Sequence, residues 1–408
     1  MSRKVLFVHN NFPGQFGAVS EMVAAQGAVT RAIGSPTARD VPPTVVERWK
    51  LERGSTPGLL DLATRVEADL HRGQVAGRAA MRLKAEGFTP DLIIAHPGWG
   101  ETVFLKEVFP QARQILHSEF FYRSEGADAG FDPQFTPTSP ESGFRIHAKN
   151  AAMALAYVEA DRLVSPTPFQ ANLLPPILRD RCSVIHEGVD TAAIKPKPEA
   201  SVRFGNGRVL DRSTPVITLV NRTLEPLRGF NVLMQALPKV MKAVPNARVV
   251  IIGRDGRNGY GPQAPDGKTW KEVMLQRLAG QIDRSRLHFP GRIDHRLMLD
   301  VLSVSSAHVY YTYPFVLSWS MIEAMSLGCN IIASDTAPVR DALEDGVSGT
   351  LLNFFDVEAL SDALISACLN PAASEPLRAR AREAAVQRYD KATVCLPAWS
   401  KMIEEVMA

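Results

Sequence analysis

Short apolar runs alternate with longer amphipathic stretches along most of this chain. β-branched and aliphatic residues fill runs typical of buried strands, at 5–8, 29–33, 91–95, 113–116, 162–165 and 182–185 in the first half and at 216–220, 248–252, 307–311 and 330–334 in the second. Helical periodicity lies between them, most clearly at 59–86 and 230–244. Strands that alternate with helices are typical of parallel sheets. We therefore expect an α/β fold.

The length of the chain predicts more than one domain. Single cores usually stop growing at about 250 residues, and this chain has 408. Pro196, Pro198 and a glycine-rich stretch at 204–208 mark a linker. We expect a first domain at 1–195, a second at 196–388 and a closing helical segment at 389–408.

The second half is organised around the stretch 309–335, which predicts a strand, a loop, a short helix and another strand. Ser318 or Ser320 is placed to cap the start of the helix, and Glu323 is expected in its first turn. A helix that begins past the carboxyl end of a strand offers free backbone N–H groups, which suit a phosphate. The carboxylate of Glu323 would reach a neutral hydroxyl such as that of a ribose, although the same glutamate also suits the helix dipole without any ligand. The stretch indicates a nucleotide site.

A further stretch, 216–253, predicts a strand, a polar loop, an amphipathic helix and another strand. Arg222 and Arg228 flank the loop, and Gly229 follows at its turn. Guanidinium groups beside a helix N-terminus favour a diphosphate, because each stays charged and can donate two parallel hydrogen bonds. A solvated basic loop is the alternative that this stretch alone leaves open.

Polar residues follow several strands of the first half, at the edge where open α/β sheets bind ligands. They are Gly14 and Gln15 after the first strand, His96 after the third, and His117 and Glu119 after the fourth. Gly14 permits close backbone approach, or simply forms a turn after Pro13. A cluster at the edge of the first sheet is therefore expected.

The loop at 120–143 is long and rich in aromatic residues, Gly and Pro, and it includes Tyr122 and Arg123. Aromatic faces suit sugar rings and carboxylates suit hydroxyls, so this loop is a candidate wall for an acceptor. Ordinary packing explains the same composition equally well.

Composition narrows the class of partner. The 46 Lys and Arg barely exceed the 43 Asp and Glu, which is no footprint for a nucleic acid. The four cysteines are scattered without ligand spacing, as small core residues in a reducing compartment would be. The sequence has no signal-peptide pattern and no run of about 18 apolar residues. We expect a soluble, cytoplasmic protein.

The helical region at 59–86 carries a basic stripe. It includes Arg72, Arg78, Arg82 and Lys84. Such a stripe either lies on an anionic membrane surface or is merely solvated. Peripheral contact with the inner face of a membrane is therefore one interpretation.

The two stretches of the second half together resemble the family 4 retaining glycosyltransferases, which have the GT-B fold. In that family an arginine after the first strand of the second domain is followed by a lysine and a glycine, which correspond here to Arg222, Arg228 and Gly229. The family's Glu-Ala-Met and later glycine correspond to Glu323–Met325 and Gly328. Weaker matches run along nearly the whole chain, so the combined resemblance is specific.

Some positions refine the resemblance. FPGRID at 289–294, with Arg292 and Ile293, resembles the segment that holds the nucleobase. Glu187 stands where the family usually has an asparagine, and Phe315 where it has a glutamate that contacts the donor sugar. Phe315 cannot accept those hydrogen bonds.

Several explanations of Phe315 stay open. Ser318 or backbone groups replace the lost contacts, the donor is a deoxy or less polar sugar, or the protein is a catalytically silent nucleotide-sugar-binding subunit that partners an active transferase. An epimerase or phosphorylase on the same fold is a more distant alternative.

The resemblance implies two Rossmann-like domains that face each other across a deep cleft, with a C-terminal helix crossing back to the first domain. It implies transfer of a sugar, with retention, from a nucleoside-diphosphate sugar to a glycan or lipid-linked acceptor in cell-surface polysaccharide or glycoconjugate biosynthesis, with no metal or cofactor. The implied catalytic residues are His117, Arg222 and Arg228; the implied donor-binding residues are Gly14, Arg222, Arg228, Arg292, Ile293, Ser318, Trp319, Ser320 and Glu323; the acceptor-side candidates are Gln15, His96, Glu119, Tyr122 and Arg123.

Overall fold

The computed structural model describes residues 2–135, 139–203, 207 and 209–408. These residues form two compact units. The first contains the described residues of 1–129, 138–188 and 391–408, and the second contains those of 130–137 and 189–390. The chain passes between the units at Gly188 and Val189, slightly before the expected boundary at 195. The predicted linker at 204–208 lies largely outside the described residues.

Among the described residues, the first unit is built on seven parallel strands in the order β3-β2-β1-β4-β5-β6-β7. The strands are β1 (Lys4–Val8), β2 (Val29–Gly34), β3 (Val45–Arg48), β4 (Leu92–Ala95), β5 (Arg113–His117), β6 (Arg162–Ser165) and β7 (Cys182–Val184). The helices are α1 (Gly17–Ala25), α2 (Asp61–Ala85), α3 (Leu105–Val108), α4 (Pro140–Ala148), α5 (Ala151–Glu159), α6 (Pro168–Asn172) and α7 (Pro176–Arg179). The central strands β1 and β4 are apolar over nearly their whole length, as expected where helices cover both faces of a parallel sheet.

The second unit opens with an antiparallel hairpin, β8 (Ser201–Arg203) and β9 (Val209–Asp211). Within the described part of this unit, the main sheet has six parallel strands in the order β12-β11-β10-β13-β14-β15. They are β10 (Val216–Thr223), β11 (Arg248–Arg254), β12 (Leu287–Gly291), β13 (Ala307–Tyr310), β14 (Ile331–Ser334) and β15 (Thr350–Leu352). The helices are α8 (Phe230–Ala243), α9 (Trp270–Arg277), α10 (His295–Ser303), α11 (Trp319–Ser326), α12 (Ala337–Arg340), α13 (Val357–Leu369) and α14 (Glu375–Tyr389).

Strand order reverses once in each sheet, next to its first long strand. β1 lies between β2 and β4, and β10 lies between β11 and β13. At such a reversal the loops after the two neighbouring strands turn to opposite faces and leave a crevice at the carboxyl edge. Each sheet therefore has one predictable place for a ligand.

The last helix, α15 (Leu396–Met407), belongs to the first unit. Trp399, Met402 and Ile403 lie in the same core cluster as Phe7 and Phe12. Burying such large side chains contributes roughly 1.5–3 kcal/mol each. Helix α15 therefore packs into the same core as Phe7 of β1.

The long loop of the first half differs from the expectation at its end. Helix α4 begins at Pro140, before the predicted end of the loop, because Ser139 caps it by accepting the backbone N–H of Ser142. The described part of 130–137 belongs to the second unit. There the ring of Phe131 lies 5.0 Å from that of Tyr313, whose hydroxyl donates to Asp132 at 2.8 Å.

Candidate functional site

Histidines from neighbouring strands meet at the carboxyl edge of the first sheet. His9 follows β1, His96 follows β4 and His117 ends β5. The rings of His9 and His96 lie 5.3 Å apart, and those of His96 and His117 stack at 5.4 Å. Each is at most 3 % exposed. The strand order brings these buried rings together, because β1 and β4 flank the reversal and β5 follows next.

Gln15 and Glu119 join His9 and His96 in one network. The backbone N–H of Asn11 donates to Nδ1 of His9 at 2.9 Å, which leaves the Nε2 proton to be donated to Oε1 of Gln15 at 2.7 Å. Gln15 in turn donates from Nε2 to Oε1 of Glu119 at 2.8 Å. The other carboxylate oxygen of Glu119 lies 3.5 Å from Nε2 of His96. The structure thus brings the predicted Gln15, His96 and Glu119 together.

Glu187 adds a carboxylate that sequence reasoning recorded only as a departure from the family. Its Oε1 lies 3.1 Å from Nε2 of His117, across 70 residues of chain, and its Oε2 lies 3.7 Å from Nε2 of His186. His186 follows β7, the outermost strand on this side of the sheet. The edge therefore extends from β1 to β7 as a continuous set of imidazole and carboxylate groups.

Burial and hydrogen bonding set the charges of this edge. Burial, assisted by the neighbouring His96, lowers the pKa of His9 to about 3, so its ring is neutral. Burial opposes ionisation of Glu187, but the hydrogen bond from His117 and the field of His186 outweigh it and bring its pKa down to about 2. Burial also opposes ionisation of Glu119, but the neighbouring His96 and His117 together outweigh it, so that the pKa of Glu119 lies below its usual value. Ionised carboxylates are thus held among buried rings.

Gly14 has a packing reason for its identity. Its φ is +49°, and a Cβ there would stand 2.4 Å from Cε1 and Nε2 of the His9 ring. A side chain would displace the ring that binds Gln15. Gly14 is therefore required by the network itself, whether or not a ligand also approaches it.

Tyr122 and Arg123 are held by other parts of the first unit. The backbone of Tyr122 exchanges two hydrogen bonds with the side chain of Asn150, both at 2.9 Å. Arg123 donates from Nε to the carbonyl of Leu173 at 2.6 Å. These contacts support the packing interpretation of the loop, and an acceptor role for the two side chains stays a prediction.

The edge of the second sheet carries the predicted arginines. Arg222 lies near the end of β10, and Arg228 lies in the turn before α8. Arg228 donates from a terminal nitrogen to Oγ1 of Thr312 at 3.1 Å and to the carbonyl of Val316 at 2.9 Å. Both partners follow β13, so Arg228 bridges the loops on either side of the strand-order reversal while staying partly exposed.

Gly229 permits this turn. Its φ is +69°, and a Cβ there would stand 2.1 Å from Cβ of the buried Tyr311. Only glycine meets both conditions at low cost. The position therefore places Arg228 by backbone geometry, as the sequence pattern suggested.

Aromatic rings occupy the place where the resemblance predicts a carboxylate. Phe315 is buried, and the Arg228 guanidinium lies 5.3 Å from its ring centroid. Tyr260 packs on Phe315 with ring centroids 5.3 Å apart, and its hydroxyl accepts a hydrogen bond from Arg222. Arg222 also lies 5.2 Å from the Tyr260 centroid. The result is a row in which two aromatic rings lie between two guanidinium groups, each end stabilised by cation–π attraction.

Glu225 holds the loop that carries Tyr260. This buried carboxylate accepts the backbone N–H of Gly261 at 2.6 Å. A Cβ on Gly259 would stand 2.1 Å from the same Oε2 atom. The glycine-rich loop is thus fitted closely around one carboxylate, which fixes the position of Tyr260 beside the arginines.

The start of α11 differs from the expectation. Ser318 occupies the N-cap position, but its hydroxyl pairs with that of Ser320 at 2.8 Å and makes no cap hydrogen bond. The backbone N–H of Ser318 donates to the hydroxyl of Tyr310 at 2.8 Å. Trp319 is 48 % exposed. The helix start therefore has no side-chain cap to occupy its first-turn N–H groups.

Glu323 lies one turn deeper than expected. The helix begins at Trp319, so Glu323 stands beyond the first turn and the helix-dipole explanation loses its basis. Nε2 of His295 lies 2.5 Å from Oε1 of Glu323. Burial raises the pKa of Glu323, and His295 partly offsets that rise. His295 itself is largely exposed, three residues after Arg292.

The two residues predicted to hold the nucleobase differ in exposure. Arg292 is exposed, whereas Ile293 is partly buried and packs against the core of the second unit. Sequence reasoning missed Tyr260, Glu225 and His295. The available signals were an aromatic residue within the glycine-rich loop and a histidine directly after FPGRID.

Within the described parts of the chain, no group of three or more His, Cys, Asp or Glu side chains is placed to hold a metal ion. Among the same residues, no helix has the length and apolar character needed to cross a bilayer.

Comparison with known proteins places the chain in a family. A model of the glycosyl transferase family 4 group matches residues 26–194, and a model of the glycosyl transferases group 1 matches residues 208–388. Together these matches cover most of the sequence. The chain belongs to the family 4 (group 1) glycosyltransferases.

Curated relatives are similar over part of their length. The D-inositol 3-phosphate glycosyltransferase of Mycolicibacterium paratuberculosis is 29 % identical over 244 residues, which is 58 % of this chain and 52 % of that protein. The protein of that name from Mycobacterium bovis is 27 % identical over 245 residues, with 58 % and 48 % covered. The chain thus matches about half the length of these relatives.

Solved structures share the fold over the whole chain. Sucrose-phosphate synthase from Thermosynechococcus elongatus matches with a TM-score of 0.72 at 16 % identity, covering 99 % of each chain. Anabaena HepE in complex with UDP and glucose matches with a TM-score of 0.67 at 15 % identity, covering 99 % of this chain and 100 % of that one. The protein has the GT-B fold, with two Rossmann-like parallel-sheet domains.

Proposed function

We propose that the protein is a retaining glycosyltransferase that moves a sugar from a nucleoside-diphosphate sugar to a hydroxyl of a glycan or lipid-linked acceptor. The observation that carries this proposal is the placement of Arg228. Thr312 and Val316 hold its guanidinium beside a helix that has no side-chain cap at its start. Permanent cations and backbone N–H groups at one sheet edge match the charge of a diphosphate.

The proposed reaction breaks the bond between the anomeric carbon and the diphosphate oxygen, and the electron pair leaves with the diphosphate. The acceptor oxygen forms the new bond on the same face, and its proton passes to the departing phosphate oxygen. Because negative charge grows on the leaving group, Arg222, Arg228 and the start of α11 would bind the transition state more tightly than the ground state. Arginine supplies the positive charge in this proposal, without a metal ion.

A UDP-sugar is the first donor to test, because the HepE structure contains UDP and glucose. We assign the ribose hydroxyls to Glu323, whose carboxylate can accept at both oxygens while His295 orients it. The exposed Arg292 and the half-buried Ile293 would contact the nucleobase. The exposed Trp319, at the uncapped start of α11, would offer an apolar face to the same ligand.

The first unit would supply polar groups for sugar hydroxyls. Gln15, His96 and Glu119 already form a network that offers amide and carboxylate groups. A network whose members hold one another in place loses less entropy when it binds a substrate. We propose that these residues and Gly14 form the hydroxyl-binding side of the reaction.

The proposed setting is cytoplasmic, with the acceptor presented at the inner face of a membrane. The basic stripe on α2 gives little electrostatic support for direct membrane contact, because its arginines already have acidic partners. The ion pairs are Arg72 with Asp69 at 3.1 Å, Arg78 with Glu52 at 3.3 Å, and Arg82 with Glu47 at 2.6 Å.

A thermal-shift screen followed by a transfer assay tests the proposal. The protein is melted with UDP, GDP, ADP, CMP and dTDP, and then with the matching sugar nucleotides, all in EDTA. One nucleotide should raise the melting temperature in proportion to its occupancy. Its sugar nucleotide should then act as donor, and the product should keep the anomeric configuration when analysed by NMR.

Each other outcome removes a defined part of the proposal. An inverted product would contradict retention, and a response that appears only with added Mg²⁺ would contradict metal independence. Stabilisation by none of the nucleotides would contradict the donor site at Arg228.

A further inference from the structure

Three histidines at the first sheet edge share one local feature. The backbone N–H two residues later donates to Nδ1 of His9 at 2.9 Å, of His96 at 3.1 Å and of His186 at 2.9 Å. A ring nitrogen that accepts a hydrogen bond carries no proton, so the proton of each neutral ring lies on Nε2. Local backbone geometry therefore fixes the tautomer of these three rings.

His117 has no such backbone hydrogen bond to Nδ1 among the residues that the structure describes. Its Nε2 lies 3.1 Å from Oε1 of Glu187, and its Nδ1 has no hydrogen-bond partner among the residues that the structure describes. The side chain is only 1 % exposed. Unpaired buried polar atoms are rare in native structures and call for an explanation. Here the explanation must also account for Glu187, which stands where the family usually has an asparagine.

Glu187 is held in position from more than one side. Its Oε2 lies 3.7 Å from Nε2 of His186, while its side chain is 11 % exposed. His96 stacks on the other side of His117, and Phe16 approaches that ring at 6.0 Å with its plane nearly perpendicular. An ionised carboxylate only accepts hydrogen bonds, so His117 must present an N–H to it. The lone pair of His117 Nδ1 can then accept a hydrogen bond from another group.

We infer that Glu187 is a positioning residue that holds the proton of His117 on Nε2, so that Nδ1 accepts a hydrogen bond from a substrate hydroxyl. This inference rests on the proposed function for the identity of the hydroxyl, which belongs either to the donor sugar or to the acceptor. The tautomer itself is a property of the free protein. A hydrogen-bond partner at one ring nitrogen generally decides which nitrogen of an imidazole carries the proton, and Glu187 has this role for His117.

The free protein gives the first test. Protein labelled with ¹⁵N at histidine is examined by long-range ¹H–¹⁵N NMR near pH 8, and the His117 signals are assigned by their loss in His117→Gln. We expect the Nε2–H tautomer in the unmodified protein and in Glu187→Gln, whose amide oxygen still accepts. Glu187→Met has similar volume but no acceptor, so Nδ1–H should become populated.

This test is decisive without any activity. An unmodified protein with the proton on Nδ1, or a tautomer that is unchanged in Glu187→Met, would overturn the inference. Because the measurement needs no nucleotide, failure of the proposed transferase function leaves its outcome readable.

Steady-state kinetics show whether the hydroxyl that binds His117 Nδ1 belongs to the donor or to the acceptor. Glu187→Met should lower kcat/KM for sugar transfer by about tenfold or more, as expected for loss of one well-placed hydrogen bond. Glu187→Gln should restore most of the activity, and both variants should bind the free nucleotide normally, which also shows that they fold. A loss of sugar-nucleotide affinity beyond that of the nucleotide assigns the hydroxyl to the donor, whereas a raised KM for the acceptor alone assigns it to the acceptor. Equal damage by both substitutions would contradict control through the tautomer.

Discussion

The two sheet edges have the same topology and opposite chemistry. In the first unit, β1 and β4 flank the reversal, and the edge that they share with β5 and β7 carries buried histidines together with carboxylates that contact them. In the second unit, β10 and β13 flank the corresponding reversal and carry arginines stacked on aromatic rings. The fold supplies the location of a ligand site in each sheet, and the loop residues alone decide what the site can bind.

The difference extends to how each edge keeps its charge. Arginine stays protonated at any pH that a protein survives, so the second edge is permanently positive. The charges of the first edge depend on burial, which keeps His9 neutral, and on hydrogen bonds, which keep Glu187 ionised. The charge of the first edge should therefore respond to pH more strongly than the charge of the two arginines at the second.

Gly229→Ala should have the largest effect, because it forces a side chain into the turn that places Arg228. The new Cβ would meet Cβ of Tyr311 at 2.1 Å, and φ is +69°. Strain and overpacking together should lower the free energy of unfolding by about 3 kcal/mol or more, measured by urea denaturation.

Substitutions at two other glycines show how much of this loss of stability comes from the contact with Tyr311 and how much from backbone strain. Gly280→Ala is the matched control, since φ is +76° and no atom lies within 4 Å, so only about 1 kcal/mol of backbone strain is expected. Gly14→Ala should fall between them, because the His9 ring that it meets is a side chain and can move. Equal losses for Gly229→Ala and Gly280→Ala would show that the contact with Tyr311 relaxes freely.

Arg228→Ala should weaken nucleotide binding by about 2 kcal/mol, close to thirtyfold, through loss of a charge-assisted hydrogen bond. Isothermal titration with the nucleotide that stabilises the protein measures the change. Arg277→Ala is a suitable control, since Arg277 is an exposed arginine on α9 of the same unit. Normal binding by Arg228→Ala would place the diphosphate elsewhere.

Acidification from pH 7 to 5 should destabilise the first edge through His9. Its pKa is about 3 in the folded protein against an ordinary value of 6.5. The unfolded chain therefore binds more protons in this range, so stability is present above about pH 6.5 and is lost as pH falls toward 3. The expected loss by pH 5 is about 2 kcal/mol for this group.

Variants separate this contribution from others in the same pH range. Burial lowers the pKa of His308 in the second unit to about 4, which acts in the same direction, whereas burial raises the pKa of Glu101 to about 7, which acts in the opposite one. The test is therefore the difference in pH slope between the unmodified protein and His9→Gln, with the exposed His147→Gln as control. Identical slopes for all three proteins would mean that His9 is not buried as a neutral ring.

Phe315→Leu should have the smallest effect on nucleotide binding. Leucine keeps the apolar contact with Tyr260 but loses the cation–π attraction to Arg228, so affinity should fall by roughly 0.5–1 kcal/mol. Phe315→Glu instead adds an acceptor for sugar hydroxyls and should shift the preference among sugar nucleotides, measured as relative kcat/KM. An unchanged preference would mean that Phe315 does not select the sugar.

Features that depend on neighbouring residues could be predicted from the sequence. Arg222 lies near the end of β10, and Arg228 and Gly229 lie in the turn directly after it, so their common location needs no contact between distant parts of the chain. The start of α11 shows the limit of such reasoning. Ser318 has the right identity and position for a cap, yet its hydroxyl binds Ser320 instead.

Features that join distant residues could not be predicted. His295 meets Glu323 across 28 residues, and His117 meets Glu187 across 70. Phe131 comes between elements of the first unit in the sequence, yet it belongs to the second unit and packs on Tyr313 and Phe355 there. No local pattern encodes these pairings, because they exist only once strand order has brought the loops together.

The sequence by itself determined the alternation of strands and helices, the family, and the residue types available at each strand end. Apolar periodicity and turn chemistry act over a few residues, so they can be read without the fold. Only the tertiary structure decided which of those residues touch, and with that the charge of Glu187, the neutrality of His9 and the aromatic support of Arg222 and Arg228. These properties come from burial and from partners distant in the chain, and both are consequences of sheet order rather than of local sequence.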